Sequence, residues 1–145
     1  MNLPRFIDLR VHTACSLVEG AIQVKALPGM AQAAGMPAVA VTDSGNLFAA
    51  LEFSETAAKA GVQPILGAQM PLASTVAARP GEQLAAPRSV VLLAQNEVGY
   101  ENLLKLSSCY FLESGEALPH LTMDELAAHS AGLICLTGGA EGPVG

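Results

Sequence analysis

Short apolar segments that alternate with helix-like segments are the feature that most limits what this chain can fold into. Residues 38–42, 62–66 and 90–94 are of strand length and mostly apolar, and helical patterns cover 47–60 and 97–112. Strands that are apolar at most positions are typical of sheets covered on both faces, as in parallel α/β proteins. The alternation therefore predicts a parallel α/β architecture with right-handed crossovers.

The remaining segments extend this pattern at both ends. Residues 6–11 alternate with period two and predict a first strand, and residues 133–137 predict a fifth. A helix should begin near Pro28, because proline is tolerated in a first helical turn. Thr122 and Glu125 have the spacing of a capping box, which predicts a further short helix.

Composition excludes several classes of protein. Hydrophobic residues make up 51% of the 145 residues and charged residues only 14%, which excludes intrinsic disorder. Thirteen acidic residues against seven basic ones, and 4% aromatic residues, argue against a surface that grips nucleic acid. Polar and proline breaks interrupt every apolar run before it reaches the length of a bilayer span. Three widely spaced cysteines favour a reduced, cytoplasmic chain.

Candidate site residues follow the predicted strands. Ligands of parallel α/β folds bind beyond the carboxyl ends of the strands, where His12, Glu19 and Asp43 are the best metal ligands or acid–base groups. Each also has a structural interpretation: His12 as a hydrogen-bonded structural side chain, Glu19 as a turn residue, and Asp43 as the cap of the following helix. Arg10, if partly buried, would need one of these carboxylates as a partner.

Five ordered blocks carry a resemblance to a known family. They are Leu9-Arg10-Val11-His12-Thr13 with Ser16-Leu17-Val18-Glu19-Gly20-Ala21, then residues 35–48, 59–67, 92–103 and 136–139. Together they resemble the PHP (polymerase and histidinol phosphatase) domain, and more narrowly the N-terminal region of bacterial replicative DNA polymerase III alpha subunits. The blocks span almost the whole chain.

The resemblance implies a fold and a domain organisation. Residues 1–145 would form the N-terminal part of an incomplete PHP domain, a partial distorted parallel (β/α) barrel. The palm, fingers and thumb of the polymerase would be absent. Because a partial barrel has unpaired strand edges, we expect the isolated piece to be poorly soluble, oligomeric or unfolded.

The resemblance also implies where metal ligands would stand. The family's ligand positions correspond to Arg10, His12, Glu19, Ser44, Gln69, Ser89 and Gly139, with Asp43 beside them. His12 and Glu19 keep a ligand type, whereas Arg10 places a permanent cation where a metal would lie and can pair with Glu19. We therefore expect a remnant PHP site without catalytic residues, which binds no catalytic metal cluster.

The function that the resemblance implies is structural. The segment would support the rest of the alpha subunit and contact the proofreading exonuclease subunit. The parent, a DNA-directed DNA polymerase of the bacterial cytoplasm, would use Mg²⁺ and would bind DNA and dNTP through its other parts, with no role for a membrane. Two alternatives remain: a free-standing PHP phosphoesterase with an atypical metal site, and an unrelated small α/β binding module.

Overall fold

The computed structural model describes residues 6–73, 86–112 and 118–144. In chain order the elements are α1 (Leu27–Ala33), β1 (Ala38–Ser44), α2 (Ala50–Ala60), β2 (Gln63–Leu72), β3 (Arg88–Ala94), α3 (Glu97–Leu112), α4 (Met123–Ala128) and β4 (Leu133–Leu136), followed by one turn of 3-10 helix. The strands form a sheet in the order β1-β2-β3-β4. The α/β class is confirmed, and closure into a barrel stays a prediction.

The chain divides into two compact units, Met1–Ala68 and Gln69–Gly145, called here the N-terminal unit and the C-terminal unit. The boundary falls inside β2. Each unit is described separately below. Within the described residues, no helix is long and apolar enough to cross a bilayer.

The N-terminal unit packs α1 and α2 around the buried strand β1. Phe53 and Ala57 of α2 are fully buried against Val39 and Val41 of β1. Helix α1 carries Pro28 in its first turn, as predicted. Helix α2 ends at Gly61, whose left-handed backbone (φ 71°) suits glycine.

The prediction of a regular strand over residues 6–11 is wrong. This segment lies along β1, where the Asp8 carbonyl accepts from the Ala40 amide (2.9 Å) and the Val11 carbonyl accepts from the Thr42 amide (2.8 Å). The two acceptors are three residues apart and the two donors are two residues apart. One extra residue therefore bulges out of the pairing, as in a β-bulge, and a regular ladder does not form.

In the C-terminal unit, β3 and β4 pair antiparallel, with Ala94 opposite Leu133. The prediction of parallel strands is wrong for this pair. Between the strands, α3 and α4 return the chain to the end of β3 that it left, so β4 runs back along β3. The Gln95 amide donates to the Gly132 carbonyl (2.9 Å), so the chain enters β4 beside the end of β3.

Helix α3 covers the residues that the sequence predicts, 97–112. Its first turn is fixed by the Asn96 side chain, which accepts from the Gly99 amide (2.9 Å). Gly99 packs so tightly that a Cβ there would lie 1.8 Å from the Gly132 carbonyl oxygen. Helix α4 begins at the predicted capping box, formed by Thr122 and Glu125.

Candidate functional site

A compact loop over residues 13–22 forms one wall of the candidate site in the N-terminal unit. The Ala14 amide donates to the Ile22 carbonyl (2.8 Å), which closes the loop at its base. The Gly20 amide donates to the Ser16 carbonyl (2.9 Å) inside it. A Cβ on Gly20 would lie 2.0 Å from the Thr13 carbonyl oxygen, so the loop can close this tightly only with glycine at this position.

Asp43 is the centre of the polar interactions that hold this loop. Its carboxylate is buried, with 2% of the residue exposed. It accepts from the Thr13 amide (2.6 Å), the Thr13 hydroxyl (2.8 Å) and the Ser16 hydroxyl (2.6 Å). The Ser16 hydroxyl in turn accepts from the Ser44 amide (3.0 Å). Asp43 therefore joins β1 to the 13–22 loop.

The interpretation of Asp43 as a helix cap is wrong. Helix α2 begins after Ala49, and no side chain caps it. The turn between β1 and α2 is instead held by Asn46, whose side-chain oxygen accepts from the Phe48 amide (3.1 Å). The Asn46 amide group also donates to the Cys15 carbonyl (3.1 Å). A local pattern of residues could not reveal this, because Asp43 takes its donors from about thirty residues earlier in the chain.

Glu19 and His12 lie next to each other at the mouth of the loop. The Ser44 hydroxyl donates to Glu19 Oε2, and His12 Nδ1 lies 3.3 Å from the same oxygen. The His12 side chain is 17% exposed and that of Glu19 is 51% exposed. The structure thus brings together three of the positions singled out in the sequence: His12, Glu19 and Ser44.

Arg10 lies beside this group and is exposed. It lines an open cleft of about 510 Å³ together with His12 and Glu19. The other residues that line the cleft are Asp8, Val11, Gly20, Ala21 and Ile22. Two acidic and two basic side chains therefore face the same cleft.

The other predicted positions belong to the C-terminal unit. Gln69 was predicted to follow the third strand and Ser89 to precede the fourth, but Gln69 is buried within β2 and Ser89 is half-buried within β3. Ser44, with Asp43, is likewise inside β1 rather than after it. Gly139 does follow a strand; it is exposed and has a left-handed backbone (φ 66°).

The residues present do not fit a multi-metal centre. In the parts of the chain that the structure describes, no three His, Cys, Asp or Glu side chains cluster as a metal site would need. His12 and Glu19 form a pair, and both Asp43 oxygens already accept hydrogen bonds from the protein.

Sequence analysis missed three features of this site. It assigned no role to Thr13 and Ser16, which bind Asp43, or to Asn46. It also missed Val18, a β-branched residue with φ 72°. Hydroxyl residues three apart directly after a predicted strand were the available signal for the first two.

Outside the cleft, burial raises the pKa of the Tyr110 phenol and of the Cys135 thiol.

Comparison with known proteins places this fold and site in a family. Residues 8–145 match the PHP domain. The DNA polymerase III subunit alpha of Caulobacter vibrioides is 46% identical over 140 residues, which cover 96% of this chain. That of Borreliella burgdorferi is 41% identical over 133 residues, which cover 90% of this chain. The chain spans about 12% of the length of each of these relatives.

Among solved structures, an amidohydrolase from Chromobacterium violaceum aligns with a TM-score of 0.48 and 16% identity, over 85% of this chain and 48% of that chain. That likeness is too weak to support an argument. The match to the family covers nearly every residue, including both units and the 13–22 loop. This chain belongs to the PHP domain family.

Proposed function

We propose that this chain is the N-terminal PHP segment of a bacterial replicative DNA polymerase III alpha subunit and serves it as a structural, subunit-contacting domain. The observation that carries the proposal is the 46% identity to such a subunit over 96% of this chain. The parent would be a DNA-directed DNA polymerase of the cytoplasm. Its Mg²⁺, DNA and dNTP would be bound by parts outside residues 1–145.

The state of the candidate site supports a structural role. Each Asp43 oxygen accepts from a protein hydroxyl, and Glu19 accepts from Ser44. The Asp43 carboxylate, which already accepts three hydrogen bonds from the protein, has little capacity left for a cation. The network instead joins β1 to the 13–22 loop, so these polar groups contribute to the fold of the N-terminal unit.

Arg10 supports the same proposal through charge. Its guanidinium carries a positive charge, which repels a divalent cation in the same cleft. Gln69 and Ser89 supply neutral side chains at two further family ligand positions. We therefore propose that the PHP site of this chain holds no catalytic metal cluster. Contacts to the remainder of the alpha subunit and to the exonuclease subunit belong to the proposal as well.

The parentage is tested by the coding sequence that follows Gly145. The proposal expects a continuous polymerase sequence, and primer extension by the full-length product. A stop codon shortly after Gly145, in a gene whose product hydrolyses phosphate esters, would contradict the proposal and favour the free-standing phosphoesterase.

The site is tested by hydrolysis of p-nitrophenyl phosphate in the presence of Mn²⁺ or Zn²⁺. We expect background rates from the natural sequence. The matched control is a variant in which four positions regain ligand types: Arg10→His, Ser44→His, Gln69→Glu and Ser89→His. This variant should bind more metal than the natural chain. Metal-dependent turnover by the natural sequence, well above background, would contradict the proposal.

A further inference from the structure

The tip of the 13–22 loop carries an exposed apolar surface that the fold of the N-terminal unit does not use. Leu17 is 83% exposed, and Val18 is fully exposed, with 107% of the reference accessible surface of a valine. Val18 also has φ 72°, a left-handed backbone that a β-branched residue adopts only under strain. Glycine or asparagine would fit this backbone better. We call Leu17 and Val18 the apolar tip.

The apolar tip is held rigidly in its exposed position. On its N-terminal side, Ser16 is fixed by the hydrogen bond from its hydroxyl to Asp43 (2.6 Å). On its C-terminal side, the Glu19 carboxylate is bound by Ser44 and lies beside His12. The strain at Val18 is thus imposed by anchors on both sides, and a preformed tip loses little conformational entropy when it binds.

A second exposed apolar side chain lies on the turn between β1 and α2. Phe48 is 74% exposed, and its amide donates to the Asn46 side chain. The same Asn46 side chain donates to the Cys15 carbonyl, which ties this turn to the 13–22 loop. Both side chains of the tip are apolar, and the neighbouring Glu19 carboxylate accepts from Ser44. Such a surface fits an apolar pocket of a protein, not a nucleic acid or a charged ligand.

We propose that the apolar tip docks into an apolar pocket on the polymerase part of the same alpha subunit. This inference rests on the proposed function. The relatives extend over about eight times the matched length, because the chain spans 12% of each. A pocket on the same polypeptide would be present at a high effective concentration around the tip. Even a small apolar contact would therefore be occupied. Docking would also offset the backbone strain at Val18.

Site-specific photo-crosslinking in the full-length subunit tests the proposal. Leu17 is replaced by p-benzoylphenylalanine, and the control position is Met30, a 54% exposed apolar residue on α1. We expect Leu17 to crosslink to peptides of the polymerase part of the same chain, several-fold more than Met30. Crosslinks to the rest of the PHP domain, to a second copy or to the exonuclease subunit, or yields no higher than at Met30, would overturn the proposal.

Hydrogen exchange in the same full-length protein gives a second readout. Val18→Asn suits the left-handed backbone but removes the apolar side chain. We expect exchange over residues 13–22 to rise about tenfold if docking is lost; slower or unchanged exchange would contradict the proposal. If the sequence beyond Gly145 encodes no polymerase, the proposed function itself fails. If it does and Leu17 behaves like Met30, the docking inference alone fails.

Discussion

Each of the two units is stabilised internally by a different kind of contact. In the N-terminal unit, a buried carboxylate, Asp43, collects donors from Thr13 and Ser16 and so fixes the 13–22 loop. In the C-terminal unit, two glycines, Gly99 and Gly132, let α3 approach the start of β4 at backbone distance. The N-terminal unit depends on a satisfied polar network, whereas the C-terminal unit depends on two positions without side chains.

This difference bears on the remnant site. In the N-terminal unit, the candidate residues take part in the contacts that hold the fold, and Ser44 belongs to the same network as Asp43. In the C-terminal unit, Gly139 is exposed, and among the described residues a Cβ there would meet open space. A position that the resemblance equates with a metal ligand can therefore be either structural or dispensable, and the following predictions separate the two.

The largest expected effect comes from Asp43→Ala. It leaves the Thr13 amide and two hydroxyls without their acceptor in a buried place, which should lower the free energy of unfolding by about 4 kcal/mol. Urea unfolding followed by circular dichroism measures this, with the exposed Asp124→Ala as control. A loss no larger than that of the control would contradict the structural role of Asp43.

The second largest effect is expected from Gly99→Ala. The added methyl group would collide with the Gly132 carbonyl, so we expect a loss of about 3 kcal/mol. The control is Gly29→Ala in α1, where a Cβ meets nothing within 4 Å and alanine should stabilise the helix by about 1 kcal/mol.

Hydrogen exchange measured by mass spectrometry can assign the two losses to their units. We expect Asp43→Ala to raise exchange mainly over residues 6–68, and Gly99→Ala mainly over residues 86–144. Equal increases in both ranges for each variant would show that the division into two units has no energetic meaning.

A smaller effect is expected from Ser16→Ala. It removes the hydrogen bond to the Asp43 carboxylate and the acceptor of the Ser44 amide, and it should cost about 2 kcal/mol. Ser108→Ala on α3 removes a hydroxyl that bonds only the carbonyl of the preceding turn, so it should change stability little. If the two serine variants unfold at the same urea concentration, the Ser16 hydroxyl adds nothing measurable to the network.

The smallest effect is expected from Thr122→Ala. It breaks the capping box of α4 and should cost about 1 kcal/mol, seen as faster exchange confined to residues 123–128. Met123→Ala, at an exposed position of the first turn, is the control.

The sequence was sufficient for features set by nearby residues. The bounds of α3, the proline in the first turn of α1 and the capping box of α4 follow from local patterns, and the structure confirms them. It failed where partners come from elsewhere in the chain. The antiparallel pairing of β4 depends on two intervening helices, and the role of Asp43 depends on hydroxyls that precede it by about thirty residues.

The family resemblance was confirmed across residues 8–145, because five ordered blocks constrain an alignment more strongly than any single motif. The site was harder to predict. The resemblance indicates which residues stand at the family's ligand positions, but it does not show that Ser44 donates to Glu19 or that Ser16 joins the 13–22 loop to β1. Those contacts appear only when the 13–22 loop is placed against β1.

The most direct test of the account counts metal ions at the remnant site. Crystals of the protein soaked in Zn²⁺ or Mn²⁺ are measured at the absorption edge of each metal, so that every bound ion appears in the anomalous map. The account predicts that no cluster of ions forms around His12 and Glu19 and that the hydrogen bonds of Asp43 persist. Two or more ions bound there, with Asp43 released from Thr13 and Ser16, would contradict it.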